Sequence, residues 1–187
     1  MDMDLREAIY GRRGVREFTP EPVDEKAIQQ LIDAAIQAPS AVNQQPWLFT
    51  VVRDRGLLAS ISGEAKAHML RTSPAALASH HFQHILNDAK FDIFYGAPAL
   101  IVISTGAGPW VVEDCALAAE NMMLAAHASG LGTYLIGFAQ GWRGTSEGKS
   151  VLKLPEIGVP VAPIIVGHPK SVPPAVSRKP PRIDWVS

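Results

Sequence analysis

The stretch from Pro109 to Ser129 reads as a helix with almost no polar face. Val111, Val112, Ala116, Leu117, Ala119, Met122, Met123 and Leu124 spread around it, and a helix that is apolar nearly all round needs cover on every side. The pattern predicts a central, buried helix against which the other layers pack. Its ends are well marked. Pro109 suits the first turn, Glu113 and Asp114 lie near the positive end of the helix dipole, and Gly130 supplies a stop.

What can cover it follows from the rest of the chain. Ala97 to Ser104 is a continuous apolar, β-branched-rich run, the signature of a fully buried strand. A second buried strand is expected at about 48–53, and further strands at Thr133–Ile136 and Val161–Val166. Asp24 is a good N-cap for a helix whose stripe (Ala27, Ile28, Leu31, Ile32, Ala35, Ile36) ends at Pro39. Leu5, Ala8 and Ile9 predict a short helix over about 3–11 that Gly11 stops. Residues 56–95 are the least patterned. Leu57, Leu58 and Ile61 suggest a helical turn or two, Pro74 interrupts, and Ala75 to Leu86 has helical character. The elements do not alternate regularly, so the expectation is α+β: three layers, with a mixed sheet of four or five strands covered by helices. We find neither internal repeat nor second core, so residues 1–187 read as one domain. Five prolines between Pro169 and Pro181 make residues 168–187 an extended C-terminal arm with no core of its own, needing a surface such as a second subunit.

Composition narrows the function. Hydrophobic residues at 47% against charged residues at 19% favour a packed core over disorder. A net charge of −1 gives no basic field for nucleic acid or anionic lipid. One cysteine, Cys115, allows no internal disulfide and suits a reducing compartment. The acidic start lacks the features of a signal peptide, and the longest apolar stretch, Ala97 to Ile103, is far short of the roughly 20 residues that span a bilayer. A soluble cytoplasmic protein is expected.

Two segments carry recognisable chemistry. Arg12, Arg13 and Arg16 surround Gly14. Arginine forks suit phosphate oxygens, and a glycine lets backbone N–H groups approach an anion; the alternative is that these cations simply offset the negative end of the first helix. Arg178 and Lys179 could add charge to the same anion, or remain solvated. Between Pro39 and Phe49 lie Ser40, Asn43 and Gln45, followed by Trp47, an inventory of amides and aromatic edge that suits a flat heteroaromatic ligand.

Other candidates fall away. Gly130-Leu131-Gly132 follows a helix where a dinucleotide fingerprint would open one; a cap and tight turn explain it, and a ligand-facing backbone at Ile136-Gly137 stays open. His80 and His84 have a metal-compatible i, i+4 spacing, yet Phe82 and Gln83 between them make no HExxH, so no metal is expected. His127 reads as a hydrogen-bonded core residue, Cys115 as a small buried apolar group. With an anion cluster and an amide loop but no nucleophile or acid–base set, the chemistry belongs to a cofactor.

Arg12-Arg13-Gly14-Val15-Arg16-Glu17-Phe18, followed by Pro39-Ser40-x-x-Asn43-x-Gln45-Pro46-Trp47-x-Phe49, resembles the nitroreductase family of FMN-dependent oxidoreductases. The likeness continues through Tyr95 to Val102, Asp114, Asn121, Ser129 to Gly132, and Gly167-His168-Pro169, sparing about 56–92. The resemblance implies an interlocked homodimer with two FMN sites at the subunit interface. Arg12, Arg13 and Arg16, with Arg178, would hold the phosphate and ribityl chain. Pro39, Ser40, Asn43 and Gln45 would come from the other subunit, and Leu135, Ile136 and Gly137 would lie along the ring. Gly14 departs from a serine common in the family, which removes a hydroxyl but leaves a backbone N–H. The implied activity is NAD(P)H-dependent reduction of electron-poor acceptors such as nitroaromatics or quinones, by a ping-pong mechanism with the flavin N5 as the reacting atom and no catalytic side chain. The alternatives are a specialised flavin enzyme (dehalogenation, flavin destruction or dehydrogenation) or a non-catalytic flavin binder. The resemblance carries no role to His80, His81 or His84, which lie in the region that caps the substrate pocket in this family.

Overall fold

The computed structural model describes residues 3–72, 79–137 and 140–186. Four strands make one sheet: β1 (Leu48–Val52), β2 (Ala99–Thr105), β3 (Gly132–Leu135) and β4 (Val159–Gly167), in the order β1-β2-β4-β3. All three strand pairs run antiparallel, where a mixed sheet was expected. Among the described residues the parallel component is a single bridge from Gly14 to Thr133, outside the named strands. Long helical connections let strands far apart in sequence return in either direction, so local pattern could not set their sense.

The period of two along the central strands builds both cores. Ala99, Ile101 and Ile103 of β2, with Ile164 and Val166 of β4, face α2 (Glu25–Ala35) and α5 (Val111–Ala128), meeting Leu31, Met122 and Ala126. Leu100, Val102 and Ile165 face the other way, against Leu58, Ile61 and Ala65 of α3 (Arg55–Thr72), with Trp142 and Leu152. Each of these large aliphatic side chains contributes about 1.5–3 kcal/mol by leaving water. The result is the expected three-layer α+β arrangement.

The local signals explain the ends of the helices. Asp4 and Glu7 form a reciprocal capping box at α1 (Leu5–Gly11). The Asp24 side chain accepts from Ala27 N at the start of α2. At the end of α5, Gly130 takes φ +77° while Leu131 N donates to Ala126 O and Gly130 N to His127 O, the paired bonds of a Schellman ending. Its start differs from expectation. Trp110, in the left-handed region with φ 60°, precedes the helix without a side-chain cap.

Three further differences matter. The segment expected to give a turn or two is the 18-residue helix α3. α4 (His80–Asn87) is capped by Ser79, while Pro74 and Ala75 lie outside the described residues. β1 is an edge strand with Leu48 and Val51 exposed, not a buried one. Two short helices, α6 (Gln140–Arg143) and α7 (Ser146–Val151), join β3 to β4. Finally, α5 is covered on one side only. Ala118, Ala119 and Met122 are buried, whereas Val112, Ala116 and Leu117 face solvent.

Candidate functional site

The arginine segment lies across the C-terminal end of α5. Val15 N donates to Thr133 O at 3.0 Å, which fastens the segment beside β3. Arg12, Arg13 and Val15 line a cavity of about 190 Å³ with His127, Leu131, Thr133 and, from the arm, Pro169, Val172 and Pro173. Arg12 Nε donates to Glu120 Oε1 at 3.2 Å, and Arg13 Nη1 donates to the carbonyls of Tyr10 and Arg12 at 2.7 and 2.9 Å. The Arg16 guanidinium lies over the Tyr134 ring, 3.9 Å from its centroid. Burial would lower the pKa of Arg16, but contact with Tyr134 and Tyr95 outweighs it and leaves it raised.

Gly14 has a steric reason. A Cβ there would stand 2.9 Å from Cδ2 of Tyr134, so a side chain would collide with the ring. His127 is half-buried beside this cluster. Desolvation, then the charges of Arg12 and Arg13, lower its pKa, so it is a neutral member of the cavity wall in place of the core residue expected.

The amide loop hangs from the other end of α5. Ser40 Oγ accepts from Gln45 N at 2.9 Å, and Gln45 Nε2 donates to Asn43 Oδ1 at 3.0 Å. Asp114, buried on α5, accepts from Ala41 N at 3.0 Å through Oδ1, and its backbone carbonyl accepts from Trp47 Nε1 at 3.1 Å. Asp114 is thus the anchor of the loop, a role its position near the helix dipole did not reveal. Val42, Asn43 and Gln45 take φ of 45°, 55° and 50°. A β-branched valine in that region is strained, and strain of this kind collects at functional sites. Asn43 and Gln45 are exposed, with Pro39, Ser40 and Val42 lining an open cavity beside Trp110 and Leu117.

One chain does not bring these two groups together. Asp114 and His127 are about 20 Å apart along the helix axis, and the cavities beside them share no lining residue. Leu135 is exposed at the end of β3, the Ile136 side chain is buried with its N–H bonded to Pro163 O, and Gly137 is exposed; that stretch offers a ligand its backbone. The arm residues lining the cavities end at Pro174, and Arg178 lies four residues further on, exposed. His80, His81 and His84 are exposed on α4.

Some groups escaped the sequence reading altogether. Arg143 is buried with Nε and Nη1 lacking hydrogen-bond partners among the described residues, and desolvation pushes its pKa down to about 10, still cationic at neutral pH. A lone arginine in a Gly- and Ser-rich stretch gives no sign of burial. Cys115 is buried as expected, and desolvation with the nearby Asp114 pushes its thiol up to about 11, which disables it as a nucleophile at neutral pH.

Comparison with known proteins agrees with the fold. The model of the family described as Nitroreductase family matches residues 9–168. A protein of Methanothermobacter thermautotrophicus, named provisionally as an NADH dehydrogenase/NAD(P)H nitroreductase, is 31% identical over 91% of this chain and 80% of its own length. The crystal structure of a nitroreductase with bound FMN from Desulfitobacterium hafniense superposes with a TM-score of 0.81 at 26% identity, covering 97% of both chains. A nitroreductase with bound FMN from Bacteroides fragilis shares the fold at a TM-score of 0.87 and 23% identity, over 98% of this chain and 99% of that one. An arginine-rich segment, a strained amide loop and a three-layer α+β scaffold thus occur in a chain that belongs to the nitroreductase family.

Proposed function

We propose that this chain acts as an FMN-dependent NAD(P)H oxidoreductase, built as a homodimer of single-domain subunits, that reduces electron-poor acceptors such as nitroaromatics or quinones by a ping-pong mechanism. One observation carries the reading: the arginine segment shares a cavity with His127 and the amide loop hangs from Asp114, positions about 20 Å apart along one helix, so each supplies half of a site. A second copy turned end for end would set its loop beside the first copy's arginines. The exposed apolar stripe of α5 (Val112, Ala116, Leu117) gives such a copy a surface to cover.

The residues present suit FMN. In this arrangement Arg12, Arg13, the Gly14 N–H and Arg16, with Arg178 from the arm, would hold the phosphate and ribityl chain. Pro39, Ser40, Asn43 and Gln45 of the second copy would meet the ribityl chain and ring, and Leu135, Ile136 and Gly137 would lie along the ring. When bound, FMN supplies two-electron chemistry, accepting hydride from the nicotinamide and passing reducing equivalents to the acceptor. The chain orients it, and Val42, Trp110 and Leu117 exclude water once covered. No nucleophilic side chain is needed. Among the described residues no helix is long and apolar enough to cross a membrane, and we place the enzyme in the cytoplasm.

The test is the spectrum of the purified protein followed by anaerobic titration with NADH and NADPH. Bound flavin, one per subunit, bleached by a nicotinamide and reoxidised by a nitroaromatic or quinone, is expected. Colourless protein that takes up no FMN ends the reading. Flavin retained by a monomer in light scattering would remove the shared site.

A further inference from the structure

The three arginines of the cluster are held in three different ways. Arg12 is engaged by the Glu120 carboxylate and Arg13 by two main-chain carbonyls. Among the described residues Arg16 meets neither a carboxylate nor a carbonyl. Its guanidinium is stacked on Tyr134 at 3.9 Å. Arg16 and Glu17 line a neighbouring cavity of about 230 Å³ with Gly14 and, from the arm, Ser171, Pro173 and Pro174, yet no ion pair joins Glu17 to Arg16 among the described residues. A ring face fixes the plane of a guanidinium without giving it a counter-charge, so the charge and in-plane N–H donors of Arg16 remain available to an anion.

Tyr134 is itself held still. Tyr95 meets it edge-on, with centroids 6.0 Å apart and planes at 85°, and Phe91 meets Tyr95 likewise at 5.8 Å and 83°. On the other side the Tyr134 ring closes against the bare backbone of Gly14. A row of three rings thus runs from the segment after α4 to the arginine cluster.

We propose that Tyr134 is a positioning residue for cofactor binding, its ring face holding the Arg16 guanidinium in the orientation that takes the phosphate-bearing chain of FMN. The proposal rests on the FMN reading above. Holding a flexible side chain in its bound orientation beforehand removes part of the ordering cost of binding; the phenol groups of Tyr134 and Tyr95 also favour the Arg16 charge, and the Tyr134→Phe variant separates that contribution from the ring face.

Full-length apoprotein titrated with FMN, followed by quenching of flavin fluorescence, tests it through a double-mutant cycle. Tyr134→Leu is expected to weaken FMN binding about tenfold, Tyr134→Phe to stay within about twofold, and Tyr134→Leu to have no further effect in an Arg16→Ala background. Full additivity of Tyr134→Leu and Arg16→Ala, or Tyr134→Phe binding as weakly as Tyr134→Leu, overturns the proposal. Should Tyr134→Leu fail to fold by circular dichroism, Arg16→Lys serves instead. It keeps the charge but cannot stack flat, so wild-type affinity in Arg16→Lys overturns the proposal and a loss close to that of Arg16→Ala supports it. Wild-type apoprotein that binds no FMN removes the cofactor reading and this inference together; wild-type binding with an unaffected Tyr134→Leu removes the inference alone.

Discussion

His127 reports on the cluster beside it. Its pKa lies below the ordinary 6.5 through desolvation and the charges of Arg12 and Arg13. A lowered folded-state pKa means that the unfolded chain takes up the proton first. The associated stability is therefore complete above 6.5 and is lost as pH falls through the folded value. An anion held by Arg12 and Arg13 cancels part of that repulsion, so FMN binding is expected to raise the His127 pKa, read from its ring proton shifts by NMR titration. No movement would mean that the ligand does not meet those two charges. Arg143 gives a second test. A buried cation whose Nε and Nη1 have no partner among the described residues costs stability, in full below about 10 and relieved only as pH climbs above that value. Arg143→Met is expected to raise stability at pH 7 by about 1–3 kcal/mol, measured by urea denaturation.

Among the elements, the loop that carries Ser40, Asn43 and Gln45 depends on a carboxylate distant in sequence. Asp114→Ala leaves the Ala41 N–H without its partner and is expected to cost about 1–3 kcal/mol in urea denaturation, with Asp114→Asn losing much less because an acceptor remains. Equal losses in both would point to charge in place of the bond. This dependence also marks how far the sequence was legible. α2, α5 and β2 could be read because their apolar positions repeat or run unbroken. α3 could not, since its inward stripe of Leu58, Ile61, Ser62 and Ala65 has the right spacing but two small members, one polar. β1 looks buried as a string, Leu-Phe-Thr-Val-Val, yet its place at the sheet edge is set by its neighbours. The site divides similarly. The arginines and amides stand in compact motifs and were visible, while the Asp114 anchor and the Tyr134 stack arise from contacts that no local pattern encodes.

For the whole molecule, exposed apolar side chains are the main clue to assembly. Leu5, Ile9 and Tyr10 on α1, Val112 and Leu117 on α5, and Ile183 and Trp185 on the arm are all exposed, an apolar surface that the proposed homodimer would cover. Leu117→Glu is expected to give monomers in light scattering and to lose flavin with them; a dimeric, flavin-bearing Leu117→Glu protein would place the contact elsewhere. In the proposed dimer the length of α5 acquires a meaning of its own. With the arginine segment packed beside one end of a rigid rod and the loop hung from the other, the rod would work as a ruler that spaces one subunit's contribution against the other's. One residue inserted into it would turn one end by about 100° and shift it by about 1.5 Å, spoiling both sites of the proposed symmetric pair at once. Surface connections such as the one between α7 and β4 can change length without moving either group, whereas in the proposed dimer the length of α5 can change only if both subunits re-register together.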